Sequence, residues 1–442
     1  MNGLDRSRIE GALAAAVQYS SADEVFAVLS STTGETTRIA DGIVASPHAA
    51  TEAGMQITLR KGNRYGSIHT NELQPDGVRR AMDIAVAQSA IMPEVEQIVP
   101  FPSSIEFVEA ASTHASSRTS LDGSELLKRL SERVESAAIR LTGSLALSHN
   151  TLSIASSNGL FLHHPSSFVH TQFRLYSNDG WSTGYSERFD DALSEEEVIA
   201  SLDGAVQKCR AWRDPVEIQP GRHTVVLEPR ALADMLKPMM EQFSSRAVEE
   251  GRSFLRKLDG SNFVGSRLFD EQITLRSDPR NKDCASLPFT MDGTPVPSAT
   301  WVQGGVIEQL VLDRYESAAS GGLPVPPPTN LIMEGGASTM EELVSSIDRG
   351  LLVTGFSGLQ VIDPSNCLLT GSTRDGLFLI EEGRISKAVR NIILRETPVY
   401  LMKEVEALGA VERTSTTGSF FPMLLPAMRV KDVLFGGSSG MI

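Results

Sequence analysis

The hydrophobic pattern in the first half of the chain predicts the same unit twice: a helix, four strands and a second helix. The first copy has helices near residues 7–19 and 75–90, with strands at 24–30, 35–45, 55–60 and 65–69. The second copy has helices at 124–141 and 194–212, with strands at 144–148, 151–156, 168–176 and 181–186. The 124–141 helix has the three- and four-residue spacing of an amphipathic helix, at Leu127, Leu130, Val134, Ala138 and Leu141.

Two landmarks keep nearly the same offset between the copies. Strands that join an aromatic residue to a glycine are centred on Gly66 and Gly184, which lie 118 residues apart, and the closing helices begin 119 residues apart. Matching offsets indicate an internal repeat, and we predict copies at 1–118 and 119–212 within an N-terminal domain. Two similar layers without duplication are the alternative.

The second half has a different character, with more glycine, more proline and shorter predicted strands. A polar, turn-rich stretch at 213–222 marks the boundary, so we predict a β-rich C-terminal domain over 213–442. Its clearest helix is predicted at 339–349, with a capping box at Ser338 or Thr339 and an end at Gly350. The predicted fold class is α+β.

Composition narrows the function classes. The 442 residues carry 40 Lys and Arg against 55 Asp and Glu, a formal charge of −15, and no basic run. This charge disfavours binding to nucleic acid or to an anionic membrane surface. No apolar stretch reaches 18 residues, and the first residues have no apolar core typical of a signal peptide. Three scattered cysteines suit a reducing compartment, so we expect a cytoplasmic protein.

Motifs with their own chemistry are few. The patterns GxGxxG, GxxxxGK[ST] and HExxH are absent. One histidine group, His163, His164 and His170, would hold a metal if its members faced each other on paired strands, or else lies on the solvent face of a hairpin. Asp190, Asp191 and Glu195–Glu197 precede and begin a predicted helix, where acidic residues favour the helix dipole; a cation site is the alternative.

Three segments carry a more specific pattern. The first contains GMQITLR, YGS and TNEL between residues 54 and 73; the second contains TVVLEP and GRSFL between 224 and 255. The third contains TNL, EEL, GLLVT, GS and EEGRI between 329 and 385, and residues 426–437 complete the pattern. Together these segments resemble the TldD/PmbA family of bacterial and archaeal metalloproteases over nearly the whole chain.

The resemblance implies two kinds of member that work as a pair. In the TldD-like kind, a helix after the VVLxP strand carries HExxxH. Its two histidines and a cysteine near the C-terminus bind zinc, and its glutamate is the general base. An open fourth position on the zinc holds the water that attacks the peptide bond. The PmbA-like kind, also called TldE, has the same fold without these ligands.

Counted from Pro229, the HExxxH positions of this chain are Lys237, Pro238 and Gln242. A lysine ammonium has no lone pair for a metal. Proline cannot act as a base, and inside a helix it removes a hydrogen bond and forces a kink. Residues 409–413 contain no cysteine, and no histidine follows His223. We therefore assign no catalytic residue, no metal ligand and no bound cofactor to this chain.

These observations predict a non-catalytic TldE/PmbA-like subunit of a heterodimeric TldD/TldE zinc metalloprotease. A TldD-like, HExxxH-containing partner would supply the zinc, and the substrates would be unfolded peptides or peptide-like natural-product precursors. Lys237 is then either a relic on a structural helix or a contact for a peptide carboxylate. The alternatives are a stand-alone binding or regulatory protein without proteolytic activity, and an independent hydrolase with a metal at the histidine group.

Overall fold

The computed structural model describes residues 4–19, 21–104, 122–135, 138–178, 182–191, 193–416 and 421–439. The boundary between the two predicted repeat copies, at 118/119, and the start of the predicted strand at 181 lie outside these residues. Among the described residues, none of the helices combines the length and hydrophobicity that crossing a bilayer would require.

The N-terminal half forms one antiparallel sheet with helices packed on it. Its helices are α1 (Arg6–Val17), α2 (Pro75–Ser89), α3 (Gly123–Glu135) and α4 (Glu195–Ala211). Its strands are β1 (Glu24–Ala40), β2 (Ile43–Val44), β3 (His48–Lys61), β4 (Arg64–Thr70), β5 (Ile139–Ser156), β6 (Phe161–Ser177) and β7 (Thr183–Asp190). The strand order β4-β3-β1-β5-β6-β7 places the first long strand of each copy side by side at the centre.

The two copies repeat a close contact between sheet and helix. An ideal Cβ at Gly66 on β4 would lie 2.0 Å from the carbonyl oxygen of Ala85 on α2. An ideal Cβ at Gly184 on β7 would lie 2.3 Å from the carbonyl oxygen of Ala205 on α4. Because no side chain fits at either position, glycine lets the closing helix of each copy approach the edge strand to the same depth. The duplication itself stays a prediction.

Each copy has three long strands where the sequence predicts four. The segments predicted at 24–30 and 35–45 belong largely to β1, and those at 144–148 and 151–156 are continuous in β5. Polar residues separate the two predicted strands of each pair, and this is why the sequence predicts a turn there. However, β1 is hydrogen-bonded to β3 on one side and to β5 on the other, so the extended backbone is satisfied through the polar stretch.

The helix predicted at 124–141 is also shorter in the structure. α3 ends at Glu135, Ala138 has a left-handed φ of 57°, and Ile139 begins β5. Leu141 is fully buried, as its place in the apolar pattern suggested, but it is buried on a strand. An apolar spacing of three does not by itself separate a helix from a helix followed by a turn and a strand.

The C-terminal half is β-rich, as predicted. Its helices are short: α5 (Pro229–Met240), α6 (Ser245–Glu249), α7 (Arg314–Ser320), α8 (Met340–Ser345) and α9 (Pro398–Lys403). Its first strands are β8 (Gly221–Leu227), β9 (Leu275–Ser277), β10 (Ala299–Gln303), β11 (Val306–Ile307), β12 (Leu331–Met333), β13 (Arg349–Val353) and β14 (Phe356–Asp363). The remaining strands are β15 (Leu368–Thr373), β16 (Leu377–Glu381), β17 (Arg384–Ala388), β18 (Ile392–Glu396), β19 (Val405–Thr414) and β20 (Met423–Ser438).

The long strand β20 organises this second sheet, because it pairs with β8, β12, β18 and β19. The predicted capping box is present on α8, where Thr339 accepts from the backbone N–H of Glu342 and the Glu342 side chain accepts from that of Thr339. The predicted end of this helix at Gly350 is wrong. α8 stops at Ser345, and Gly350 lies in β13, which pairs with both β8 and β16.

Candidate functional site

Helix α5 follows β8 and lies in the centre of the C-terminal half. Glu228 is its N-cap and Pro229 is its first residue. Proline is well tolerated at this position, because the backbone N–H that it lacks would have no hydrogen-bond partner within the helix. Leu232, Met235 and Leu236 are completely buried. The helix packs against β14, β19 and β20, so it brings the TVVLEP segment beside the C-terminal strands of the family pattern.

The structure places the three degenerate motif positions at the end of α5. Lys237 and Pro238 are half-buried in its last turn, and Gln242 is buried just beyond it. Pro238 is inside the helix, but it comes so late that α5 continues for only two more residues. The side-chain oxygen of Gln242 has no hydrogen-bond partner within the described part of the chain.

These residues do not fit the zinc ion that the family resemblance implies for its catalytic members. Lysine offers an ammonium, proline offers no donor, and a glutamine oxygen is not among the ligands that zinc prefers. Cys284 and Cys367 are buried, and burial raises the pKa of both thiols to about 12. Within the described ranges, no three His, Cys, Asp or Glu residues come together as a ligand group.

The histidine group does not form a metal site, so that alternative is wrong. His163, His164 and His170 all lie on β6, and neighbouring residues of a strand point to opposite faces. His164 and His170 share a face but are about 20 Å apart along the strand, at roughly 3.4 Å per residue. His163 contacts Ser153, and His170 lies 2.9 Å from a carboxylate oxygen of Glu187.

A polar cavity of about 250 Å³ lies where α4 and β7 meet α5 and the end of β19. We call it the charged cleft. Its cationic lining residues are Arg188, Lys208, Arg230 and Arg413, and its acidic ones are Glu187, Asp190, Glu228 and Glu412. It is bounded by the two elements, α5 and β19, on which the family resemblance would place metal ligands.

Arg413 on β19 connects the C-terminal half to the acidic end of β7. Its Nη1 lies 2.7 Å from Oδ1 of Asp190 and 3.4 Å from Oδ1 of Asp191. Burial, followed by a hydrogen bond with Asp191, raises the pKa of Asp190 to about 6. Burial alone would also raise the pKa of Asp191, but the hydrogen bond with Asp190 and the charge of Arg413 lower it. The pair therefore keeps one carboxylate ionised while the other holds its proton into mildly acidic pH.

The acidic residues after this pair have the structural role that the sequence predicts. Glu195, Glu196 and Glu197 occupy the first turn of α4, and Ser194 and Glu197 form a capping box there. Such carboxylates meet the positive end of the helix dipole. Asp190 and Asp191 instead belong to the junction with Arg413, which no local sequence pattern indicated.

Tyr185 on β7 also lines the charged cleft. The guanidinium carbons of Arg174 and Arg230 lie 4.9 Å and 4.6 Å from the centre of its ring. Its hydroxyl donates to Glu187 over 2.6 Å and accepts from Gln172 over 2.9 Å. Burial, together with the charge of Glu187, raises the pKa of Tyr185 well above its ordinary value, so the phenol stays neutral and holds this network in place.

Asp375 joins the same arginines from the C-terminal half. Its side chain is 3% exposed, and its Oδ1 lies 2.8 Å from Nη1 of Arg174. Arg230 approaches its other oxygen at 3.8 Å, and Arg374 lies 3.9 Å from Oδ1. Three guanidinium groups around one carboxylate make this part of the junction electropositive. No sequence pattern indicates this contact, because 201 residues separate Arg174 from Asp375.

Comparison with known proteins agrees with the resemblance. The family model described as the PmbA/TldA metallopeptidase C-terminal domain matches residues 220–437, which include α5, β19 and β20. Metalloprotease PmbA of Escherichia coli O157:H7 is 21% identical over 456 residues, and the alignment covers 96% of each protein. The metalloprotease TldD homologue of Buchnera aphidicola subsp. Acyrthosiphon pisum is 23% identical over 201 residues, which are 40% of this chain and 41% of that protein.

The chain therefore spans less than half the length of the curated TldD homologues that it matches. A shared fold covers more of this chain than the alignments with the TldD homologues do. The crystal structure of TldE from Thermococcus kodakarensis superposes with a TM-score of 0.82 at 18% identity, covering 94% of this chain and 97% of that one. The solved structure shows the shared fold. From the matching family model and the relative aligned over 96% of its length, the chain belongs to the TldD/PmbA family of metalloproteases.

Proposed function

We propose that this chain is a non-catalytic, TldE/PmbA-like subunit of a heterodimeric zinc metalloprotease. The observation that carries the proposal is the residue set at and just beyond the end of α5, where Lys237, Pro238 and Gln242 occupy the HExxxH positions. None of the three is a good zinc ligand and none is a general base. The alignment over 96% of a protein named PmbA and the fold shared with a protein named TldE support this assignment.

In this arrangement the partner is a TldD-like protein with an intact HExxxH helix, which supplies the zinc, the attacking water and the general base. The present chain supplies part of the wall around the substrate. We propose cytoplasmic substrates that are unfolded peptides or peptide-like natural-product precursors. A peptide would be held as an added strand, through backbone hydrogen bonds that read little sequence.

An exposed sheet edge suited to such a peptide exists in the C-terminal half. β17 pairs with β16 and with no other described strand, and its first four residues are exposed. Its free side presents backbone N–H and C=O groups that an extended peptide can satisfy. This edge supports strand addition as the mode of binding.

Co-expression with a TldD-like homologue tests the proposal. We expect a stable 1:1 complex that cleaves an unfolded peptide, while the present chain alone cleaves none. Replacement of the partner's HExxxH glutamate by glutamine is the matched control, and it should abolish cleavage without dissociating the complex. Cleavage by this chain alone, or failure of every such homologue to form a complex, would contradict the proposal and favour a stand-alone binding protein.

A further inference from the structure

We propose that a second cavity binds a small α-amino acid with an apolar side chain. The cavity has a volume of about 230 Å³ and lies between the N-terminal sheet and the loop at residues 285–287. We call it the inter-sheet pocket. It touches the charged cleft only at Arg413, which lines both cavities. The inference concerns this chain by itself and does not rest on the proposed function.

The floor of the inter-sheet pocket is built from both repeat copies. Thr32 on β1 pairs with Asn150 on β5, and Asn150 pairs with Ser166 on β6, so these three side chains point to the same face of the sheet. The Thr32 hydroxyl donates to the Asn150 side-chain oxygen over 2.7 Å. The floor therefore offers hydroxyl and amide groups in the middle of the sheet.

The wall of the pocket is apolar. Leu152, Phe168 and Leu287 line it, and the ring of Phe168 is fixed by Phe189, with ring centres 4.3 Å apart. An apolar wall with a few convergent polar groups at a junction between two parts of a chain is the usual composition of a small-molecule site. A ligand with an aliphatic or aromatic side chain would bury that side chain here.

At one end of the pocket, a cationic side chain, Arg413, lies beside an anionic one, Asp191. Arg413 uses Nη1 to contact Asp190 and Asp191, while its Nε has no hydrogen-bond partner in the part of the chain that the structure describes. A guanidinium has five N–H donors, so donors remain for a carboxylate. The lowered pKa of Asp191 leaves a carboxylate beside the guanidinium at neutral pH. An ammonium next to a carboxylate, as in a free amino acid, matches this arrangement.

The loop at residues 285–287, which we call the roof of the pocket, is held in place by hydrogen bonds within the chain. Asn330 is fully buried, and its side chain accepts from the backbone N–H of Asp278 and donates to the carbonyl oxygens of Asp278 and Cys284. Ser286 is hydrogen-bonded to Thr329 over 2.8 Å. The loop that bears Leu287 is thus pinned by the TNL segment of the family pattern, which lowers the entropic cost of binding.

The size of the pocket limits the ligand. Sites for drug-sized molecules usually have volumes of roughly 300–1,000 Å³. At about 230 Å³, this pocket accommodates a single amino acid rather than a long peptide. The combined requirements are one carboxylate, one ammonium and one apolar side chain.

Isothermal titration of the purified full chain with L-leucine tests the inference. We expect saturable binding with one site per chain. N-acetyl-L-leucine lacks the ammonium and L-leucinamide lacks the carboxylate, so each should bind at least tenfold more weakly. Absence of saturable leucine binding, or equal binding of leucine and both analogues, would overturn the inference.

Two variants connect binding to this pocket. Arg413→Gln and Ser166→Phe should each weaken leucine binding at least tenfold, the first by removing the cation and the second by filling the cavity. Arg429→Gln is the matched control, because Arg429 lies on β20 and pairs with Glu406 at 3.2 Å, outside the pocket. Circular dichroism shows which variants are folded. Unchanged leucine affinity in a folded Ser166→Phe protein would overturn the inference even if Arg413→Gln fails to fold.

Discussion

Two adjacent carboxyl groups, Asp190 and Asp191, acquire different proton affinities from their surroundings. Asp190 is 9% exposed and Asp191 is more open to solvent. Burial favours the neutral form of Asp190, while the hydrogen bond with Asp190 and the Arg413 charge favour the ionised form of Asp191. The junction between the two halves of the chain therefore contains two neighbouring carboxyl groups, of which Asp190 keeps its proton to the higher pH. Both contact the guanidinium of Arg413.

This pair predicts a pH dependence of stability. The folded pKa of Asp190, about 6, lies above the ordinary value of 3.8, so the folded state binds this proton more tightly than the unfolded state. Its stabilising contribution is complete below about pH 3.8 and is lost as the pH rises through about 6. After allowance for solvent screening, we expect a loss on the order of 1 kcal/mol.

Urea denaturation of the natural protein and of Asp190→Asn between pH 4 and 7.5 measures this contribution. The asparagine variant cannot titrate at residue 190, and most other carboxyl groups cancel in the comparison. The free energy of unfolding of the natural protein, relative to the variant, should fall as the pH rises from 4 to 6.5. A relative stability that is constant or rises over this interval would show that Asp190 is not protonated as described.

At the element scale, the N-terminal sheet is built from two units that approach their closing helices in the same way. The glycines on β4 and β7 face the carbonyl oxygens of Ala85 and Ala205. In each unit the next residue of the helix face, Ser89 or Cys209, is also buried against the glycine. The two units thus share this packing arrangement, as well as the sequence spacing.

We expect Gly66→Ala and Gly184→Ala to destabilise the protein by a similar amount, about 2–3 kcal/mol each, because a methyl group would overlap a backbone oxygen. Gly11→Ala on α1 and Gly204→Ala on α4 are the matched controls. No atom lies within 4 Å of a Cβ at either position, so these should stabilise by about 0.5–1 kcal/mol through helix propensity. Chemical denaturation checks all four variants. A large effect at one edge glycine and none at the other would contradict the equivalence of the two units.

At the scale of the whole molecule, charged residues join the two halves of the chain. Arg174 reaches Asp375 across the junction, and Lys208 on α4 lies 2.6 Å from Glu228, the N-cap of α5. Trp212 adds a neutral contact, because its indole N–H donates to the carbonyl oxygen of Val389 over 3.0 Å. These contacts fix α5 and the charged cleft relative to the N-terminal sheet.

Asp375→Asn should destabilise the protein by about 3 kcal/mol, since it leaves three arginines around an uncharged side chain. Asparagine also tolerates the left-handed φ of 62° at this position, so the substitution changes charge rather than backbone. Arg390→Gln is the control. Arg390 pairs with Glu217 at 3.1 Å, but both side chains are more than half exposed, so its loss should cost under about 1 kcal/mol. Equal losses of stability in the two variants would mean that the Asp375 cluster does not hold the junction.

The sequence predicted those features that depend on local spacing. The four N-terminal helices, the β-rich second half and the equivalent glycines at 66 and 184 follow from periodicity and repeat offset. The extent of β1 and the end of α3 did not, because they depend on pairing with distant strands and on one left-handed residue. The Arg413 contact with Asp191 spans 222 residues, and no motif connects residues at that separation.

Metal analysis of this chain, purified without a partner, shows whether it binds zinc on its own. The protein should be equilibrated with zinc, passed through a desalting column and analysed by plasma mass spectrometry. Because we propose that Lys237, Pro238 and Gln242 stand at the HExxxH positions, we expect less than about 0.1 zinc per chain, against about one for a TldD-like homologue treated alike. Stoichiometric zinc in this chain, lost on substitution of residues at the end of α5, would contradict the account.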